Sequence, residues 1–161
     1  MMVMAVDRHR GVGPLRFGMS RDEVAASLGA IARRQRRSEY SLEEDFFDSF
    51  GLCVSYNNLG RCAAVSLANG GSVEWEYEGY RLSSRPAQDV RQWALDLDPT
   101  LELKDGFISR VLGLSMWADW LDDEECNEEE RVRPPAELLV FSPDYYEGER
   151  ARLVRSGLVA G

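Results

Sequence analysis

Val73, Trp75 and Tyr77 alternate with Glu74, Glu76 and Glu78. A strand turns successive side chains to opposite faces, so this order predicts a strand with one buried and one solvated side. The same period of two recurs upstream. Leu52, Val54 and Tyr56 alternate with Cys53 and Ser55, and Ala63, Val65 and Leu67 repeat the pattern. Between them Asn57-Asn58-Leu59-Gly60 supplies turn residues, so the two runs are expected to pair as a hairpin. Asn69-Gly70-Gly71 turns the chain again. Further strands are expected around Leu101 and Leu103, across residues 107–117 after the turn Lys104-Asp105-Gly106, and at residues 137–142. Half-buried strands need an apolar cover, and two short helices are available to give it.

The first helix is expected at residues 20–28. Ser20-Arg21-Asp22-Glu23 forms a capping box, Val24 and Leu28 set an apolar stripe behind Met19, and Gly29 supplies the stop. The second follows Ser83 and Ser84, with Pro86 in the first turn and Pro86, Val90, Trp93 and Leu97 at helical spacing until Asp98-Pro99. A helix followed by a meander of about three strands occurs twice, in residues 13–78 and 79–146, with a charged tail over residues 147–161. The expected fold is α+β: one domain of 161 residues, an antiparallel meander with two short helices packed on one face, built as two modules of like order.

Composition then narrows the function. Apolar runs are a few residues long, too short for a bilayer. Residues 1–6 are apolar and are followed at once by Asp7, Arg8, His9 and Arg10, the reverse of a signal peptide, which places the chain in the cytoplasm. Cys53, Cys62 and Cys126 fit no metal spacing and are expected as reduced thiols, although Cys53 and Cys62 lie across the hairpin and could bridge in an oxidising compartment. No metal and no cofactor is expected. His9 is the single histidine and is expected as a solvated side chain. With no nucleophile elbow and no phosphate-binding loop, no catalytic residue is assigned. A net charge of −9 disfavours nucleic acid and anionic membranes as partners and suits a basic one. The basic stretch Arg33-Arg34-Gln35-Arg36-Arg37 is expected as a loop paired with the chain's own acids.

The sharpest feature is acidic. Asp119, Asp122, Asp123, Glu124, Glu125, Glu128, Glu129 and Glu130 place eight carboxylates in twelve residues. The order lacks the alternation and central glycine of a calcium loop. Like charges held on one loop repel one another and are relieved by a cationic surface, which makes a contact site; a solvated loop before Pro134-Pro135 is the alternative. Aromatics adjoin the acids. Strand alternation assigns Trp117 to the core and leaves Trp120 exposed, and Tyr145 and Tyr146 approach from the chain's end. The partner-binding set is therefore Asp119, Trp120, Asp122, Asp123, Glu124, Glu125, Glu128, Glu129, Tyr145 and Tyr146.

Gly11-Val12-Gly13-Pro14-Leu15-Arg16-Phe17-Gly18-Met19-Ser20-Arg21-Asp22-Glu23-Val24, closing at Leu28-Gly29, resembles the opening of small actinobacterial immunity proteins that accompany polymorphic or contact-dependent toxins. Gly113-Leu114-Ser115-Met116-Trp117 and Val140-Phe141-Ser142-Pro143-Asp144-Tyr145-Tyr146 are similar to later landmarks of that group. The helix-then-meander order is also similar to the modules of the β-lactamase inhibitor protein and outer-membrane assembly lipoprotein superfamily. The resemblance implies a bacterial, non-enzymatic protein, monomeric or weakly dimeric, that occludes a toxin domain. A small-ligand binding or sensing domain is the second expectation, with Arg16, Tyr40, Tyr56 and Trp75 as the residues that would line its pocket. An enzyme working through carboxylates alone is the third.

Overall fold

A computed structural model describes residues 2–39, 41–155 and 157. Their elements run β1 (Met2–Asp7), β2 (Gly11–Val12), β3 (Leu15–Arg16), α1 (Arg21–Leu28), β4 (Arg33–Arg36), β5 (Glu43–Phe47), β6 (Leu52–Tyr56), β7 (Cys62–Ala68), β8 (Val73–Tyr77), β9 (Tyr80–Arg81), α2 (Ala87–Leu97), β10 (Gly106–Ser109), β11 (Leu114–Trp117), a 3-10 turn (Asp119–Asp122), α3 (Glu128–Arg131), β12 (Glu137–Phe141) and α4 (Tyr145–Arg155). The fold is α+β. The strands form two sheets, one of seven strands in the order β10-β11-β12-β7-β6-β5-β4 and one of five in the order β3-β2-β1-β8-β9.

Every pairing is antiparallel except β1 with β8, which run parallel from Met2 opposite Val73 to Val6 opposite Tyr77. That pair divides the strands between two sheets where the local pattern suggests one meander. The apolar run at residues 2–6 is thereby the central strand of the small sheet. Met4 and Val6 point into the core, joined by Val12 and Leu15 from its neighbours. The large sheet contributes Leu52, Val54, Tyr56, Val65, Leu67, Leu114, Met116, Leu138 and Val140 to the same continuous core.

The helices begin as their residues dictate. In α1 the Ser20 hydroxyl accepts from the Glu23 N–H at 3.2 Å while the Glu23 carboxylate accepts from the Ser20 N–H at 3.3 Å, and Gly29 closes the helix in the left-handed region. In α2 the buried face is Ala87, Val90 and Ala94. Trp93 is half-buried beside it, stacked on Tyr80 at 4.8 Å between centroids, and Leu97 stays exposed in the last turn.

Two local expectations need correction. The stretch Arg33–Arg36 is a strand, not a loop: it is the edge strand β4, paired with β5, and its exposed charges deter further strands from adding there. Glu74 is not on a solvated face. It is 3% exposed, because the chain after β9 brings Ser83 and Ser84 over it.

Candidate interaction surface

The acidic segment leaves the end of β11 and returns into β12. Its base is held by backbone bonds: the Ala136 N–H donates to the Trp117 carbonyl at 3.0 Å, and the Asn69 N–H donates to the Ala136 carbonyl at 3.0 Å. At the tight turn Lys104-Asp105-Gly106 beside it, a Cβ on Gly106 would lie 2.1 Å from the Met116 carbonyl oxygen, so no side chain fits there. Within the segment, the Asn127 side chain accepts from the Glu130 N–H at 2.8 Å and starts the single turn of α3. Asp123 folds its own turn by accepting from the Glu125 N–H at 2.9 Å.

Asp119, Asp122, Asp123, Glu124, Glu125, Glu128 and Glu129 are exposed, and Glu130 is half-buried. Asp122 meets Arg91 of α2 at 2.9 Å, which straps the segment to that helix. Among the described residues none of the other seven forms an ion pair. The cationic stretch behaves in the opposite way. Arg33 pairs with Asp48 at 3.0 Å, Arg34 with Asp45 at 3.0 Å, Arg36 with Glu43 at 3.5 Å and Arg37 with Glu44 at 2.6 Å. The arginines of the sheet edge are thus neutralised by acids of the neighbouring strand, while the acid segment is left with unopposed charge. Such a field attracts cations and disfavours anions.

The two tryptophans are placed in the reverse of the sequence expectation. Leu114 and Met116 point inward, so Trp117 points out of the sheet and is 49% exposed. Trp120 is 9% exposed, tucked in by the 3-10 turn and covered by the Arg133 guanidinium 5.0 Å from its ring. The exposed aromatic anchor beside the acids is therefore Trp117. Tyr145 and Tyr146 are not brought to the acids. They pack on Phe141, at 6.0 and 4.9 Å between centroids, at the far end of β12. Four residues of strand separate that end from Glu137, roughly 13 Å.

The residues considered for a small-ligand pocket do not converge. Trp75 is wholly buried, Arg16 turns back onto the carbonyls of Gly13 and Leu15, and the Tyr56 hydroxyl donates to Asp45. Tyr40 lies outside the described residues. His9 is half-buried rather than solvated: its Nε2 donates to the Val111 carbonyl at 3.0 Å, bracing the bend after β1. Among the described residues no group of three or more His, Cys, Asp or Glu could hold a metal ion, and no helix is long and apolar enough to cross a membrane.

Cys53 and Cys62 cannot bridge within this fold. Cys53 sits opposite Ser66 on the outer face of the large sheet, whereas Cys62 sits opposite Tyr56 on the inner one. Burial pushes both thiols up to about 12, with the Glu44 carboxylate adding to the effect at Cys53. At pH 8 the reactive thiolate is then roughly one part in ten thousand at each. Alkylation of the native protein with iodoacetamide at pH 8, followed by mass spectrometry, is expected to label half-exposed Cys126 first and the other two only after denaturation. Rapid native labelling of Cys53 or Cys62 would contradict this placement.

Two functional groups left little trace in the sequence. Asp45, in the run Glu43-Glu44-Asp45-Phe46-Phe47, is buried under two arginines, and only its phase with Phe47 hints at that. Glu74 reads as one of three equivalent acids until Ser84 is seen to reach it. No family model matches the chain, and no curated protein and no solved structure matches it either.

Proposed function

We propose that the chain is a non-enzymatic protein-binding inhibitor: an immunity-type protein, monomeric or weakly dimeric, that neutralises a basic toxin domain by covering its working surface. The supporting observation is the contrast in pairing. The arginines of the sheet edge are matched internally, whereas seven carboxylates beside exposed Trp117 form no ion pair among the described residues. Unpaired like charge speeds the approach of a cationic surface, and an exposed indole supplies the contact area that holds it. The two parts have different kinetic signatures.

Trp117→Ala is expected to weaken the complex by about 2 kcal/mol or more, almost wholly through faster dissociation. Trp120→Ala should instead lower folding stability, since that ring is buried. Surface plasmon resonance and urea titration of both variants check the pair. Equal effects of the two on dissociation would remove Trp117 from the interface. The inhibitory role itself is tested by assaying the captured partner's activity against increasing amounts of the chain. Activity should fall to zero at equimolar chain. A partner that binds and keeps its full activity would overturn the inhibitor reading.

A further inference from the structure

Beside the acid segment, where its Pro134-Pro135 exit meets the turn at Asn69-Gly70-Gly71, a cleft of about 280 Å³ opens between the ends of the two sheets. Its walls are Leu67, Val73, Leu138 and the two prolines, and one carboxylate, Glu74, lies on them. Glu74 is 3% exposed, yet it has no ion pair among the described residues. Among the described residues both of its hydrogen bonds come from Ser84, the N–H at 3.3 Å and the hydroxyl at 3.0 Å, and both go to Oε1, while Oε2 has no protein donor and is not sealed from solvent. The other buried carboxylates are better provided for. Asp45 accepts from two guanidiniums and a tyrosine, and Asp98 accepts from Thr100 and Ser109. A carboxylate bound to the protein at one oxygen and open to solvent at the other can take a cation supplied from outside as a further partner.

We infer that the Glu74 cleft is a receptor for the ammonium or guanidinium end of a cationic side chain presented by the partner. The inference rests on the protein-binding reading and adds to it a defined anchor point. A lysine or arginine is apolar along its stem and charged at its tip. The cleft offers both parts, an aliphatic and proline wall for the stem and a single acid for the tip, with Asn69, Ser83 and Ser84 also on the lining. Its volume is below the roughly 300–1,000 Å³ of sites for drug-sized ligands, which suits one side chain and not a nucleotide or an extended cofactor. The position is apt as well. Three residues, Arg131, Val132 and Arg133, join the last acid of the segment to Pro134, so a cationic surface drawn to those carboxylates is brought near the mouth of the cleft.

The test titrates the whole chain with n-butylammonium and, separately, n-propylguanidinium, observing the backbone amides of Gly70, Ser83 and Ser84 by NMR, with n-butanol as the uncharged control. Saturable shifts at those amides are expected from one or both cations and not from butanol; the stronger arm indicates whether lysine or arginine is the natural guest. Glu74→Gln should weaken binding about tenfold or more. Ser84→Ala removes one donor but keeps the carboxylate, so it should bind the cation at least as tightly as the wild type. No saturable shift in the wild type, equal binding by Glu74→Gln, or loss of binding in Ser84→Ala would each overturn the inference. The shifts are read at Gly70, Ser83 and Ser84, outside the acid segment, so failure here leaves the protein-binding reading standing. Failure to find any partner leaves the cleft measurement valid.

Discussion

Asp45→Ala is expected to cost about 3 kcal/mol of folding stability, a large loss for a single polar residue. Asp45 is 1% exposed and accepts from Arg21 Nη1 at 2.8 Å, Arg34 Nε at 3.0 Å and the Tyr56 hydroxyl at 2.9 Å. Arg21 lies over the Tyr56 ring, 4.2 Å from its centroid, so the carboxylate ties α1 to β6 as well as to the edge strand β4. Removing one partner of a buried pair costs roughly 3–5 kcal/mol because the other partners are stranded. The low end applies here, since the Arg34 side chain is 52% exposed and can return to water. For the same reason Arg34→Ala should cost less than about 1 kcal/mol. Urea denaturation of the two variants separates the cases. An Asp45→Ala protein within 1 kcal/mol of wild type would mean that the network is not formed in solution.

The second large effect is kinetic. Changing Glu124, Glu125, Glu128 and Glu129 together to lysine cancels the negative charge of the eight-acid segment, four lysines against the four acids that remain, without disturbing any hydrogen bond made by those side chains among the described residues. Only the Glu125 backbone N–H is engaged, with Asp123. Association with a basic partner is expected to slow roughly 10- to 1,000-fold at low salt, with a smaller difference near 0.15 M, where the screening length is about 8 Å. Dissociation should change much less, because rim charges act on the encounter. Folding stability should be unchanged or slightly raised, since repulsion within the segment is relieved.

Much of this was legible in local sequence. The capping box depends on residues three apart, the β6–β7 hairpin on a turn between alternating runs, and the exposure of the acid segment on the impossibility of burying so many carboxylates together. The self-pairing of Arg33, Arg34, Arg36 and Arg37 was legible from charge balance, but their strand was not, because edge strands tolerate charge that a central strand would reject. The parallel pairing of β1 with β8 joins Met2 to Val73, and no local period records such a contact. The Trp117 and Trp120 inversion came from taking the strand alternation in the wrong phase: Leu114 and Met116 occupy the inward positions, which turns Trp117 outward. The Glu74 cleft was hidden because an acid in clean alternation reads as solvated, and only the return of Ser83 and Ser84 buries it.

The central claim is that the unpaired acidic segment is a docking surface for a basic protein. The direct measurement is affinity capture from lysate of the source organism at low salt, with the wild-type chain and the four-lysine variant side by side. One basic protein, retained at equimolar ratio by the wild type and lost by the variant, is the expected result. Nothing retained at any salt concentration, or the same protein retained equally by both, would contradict it.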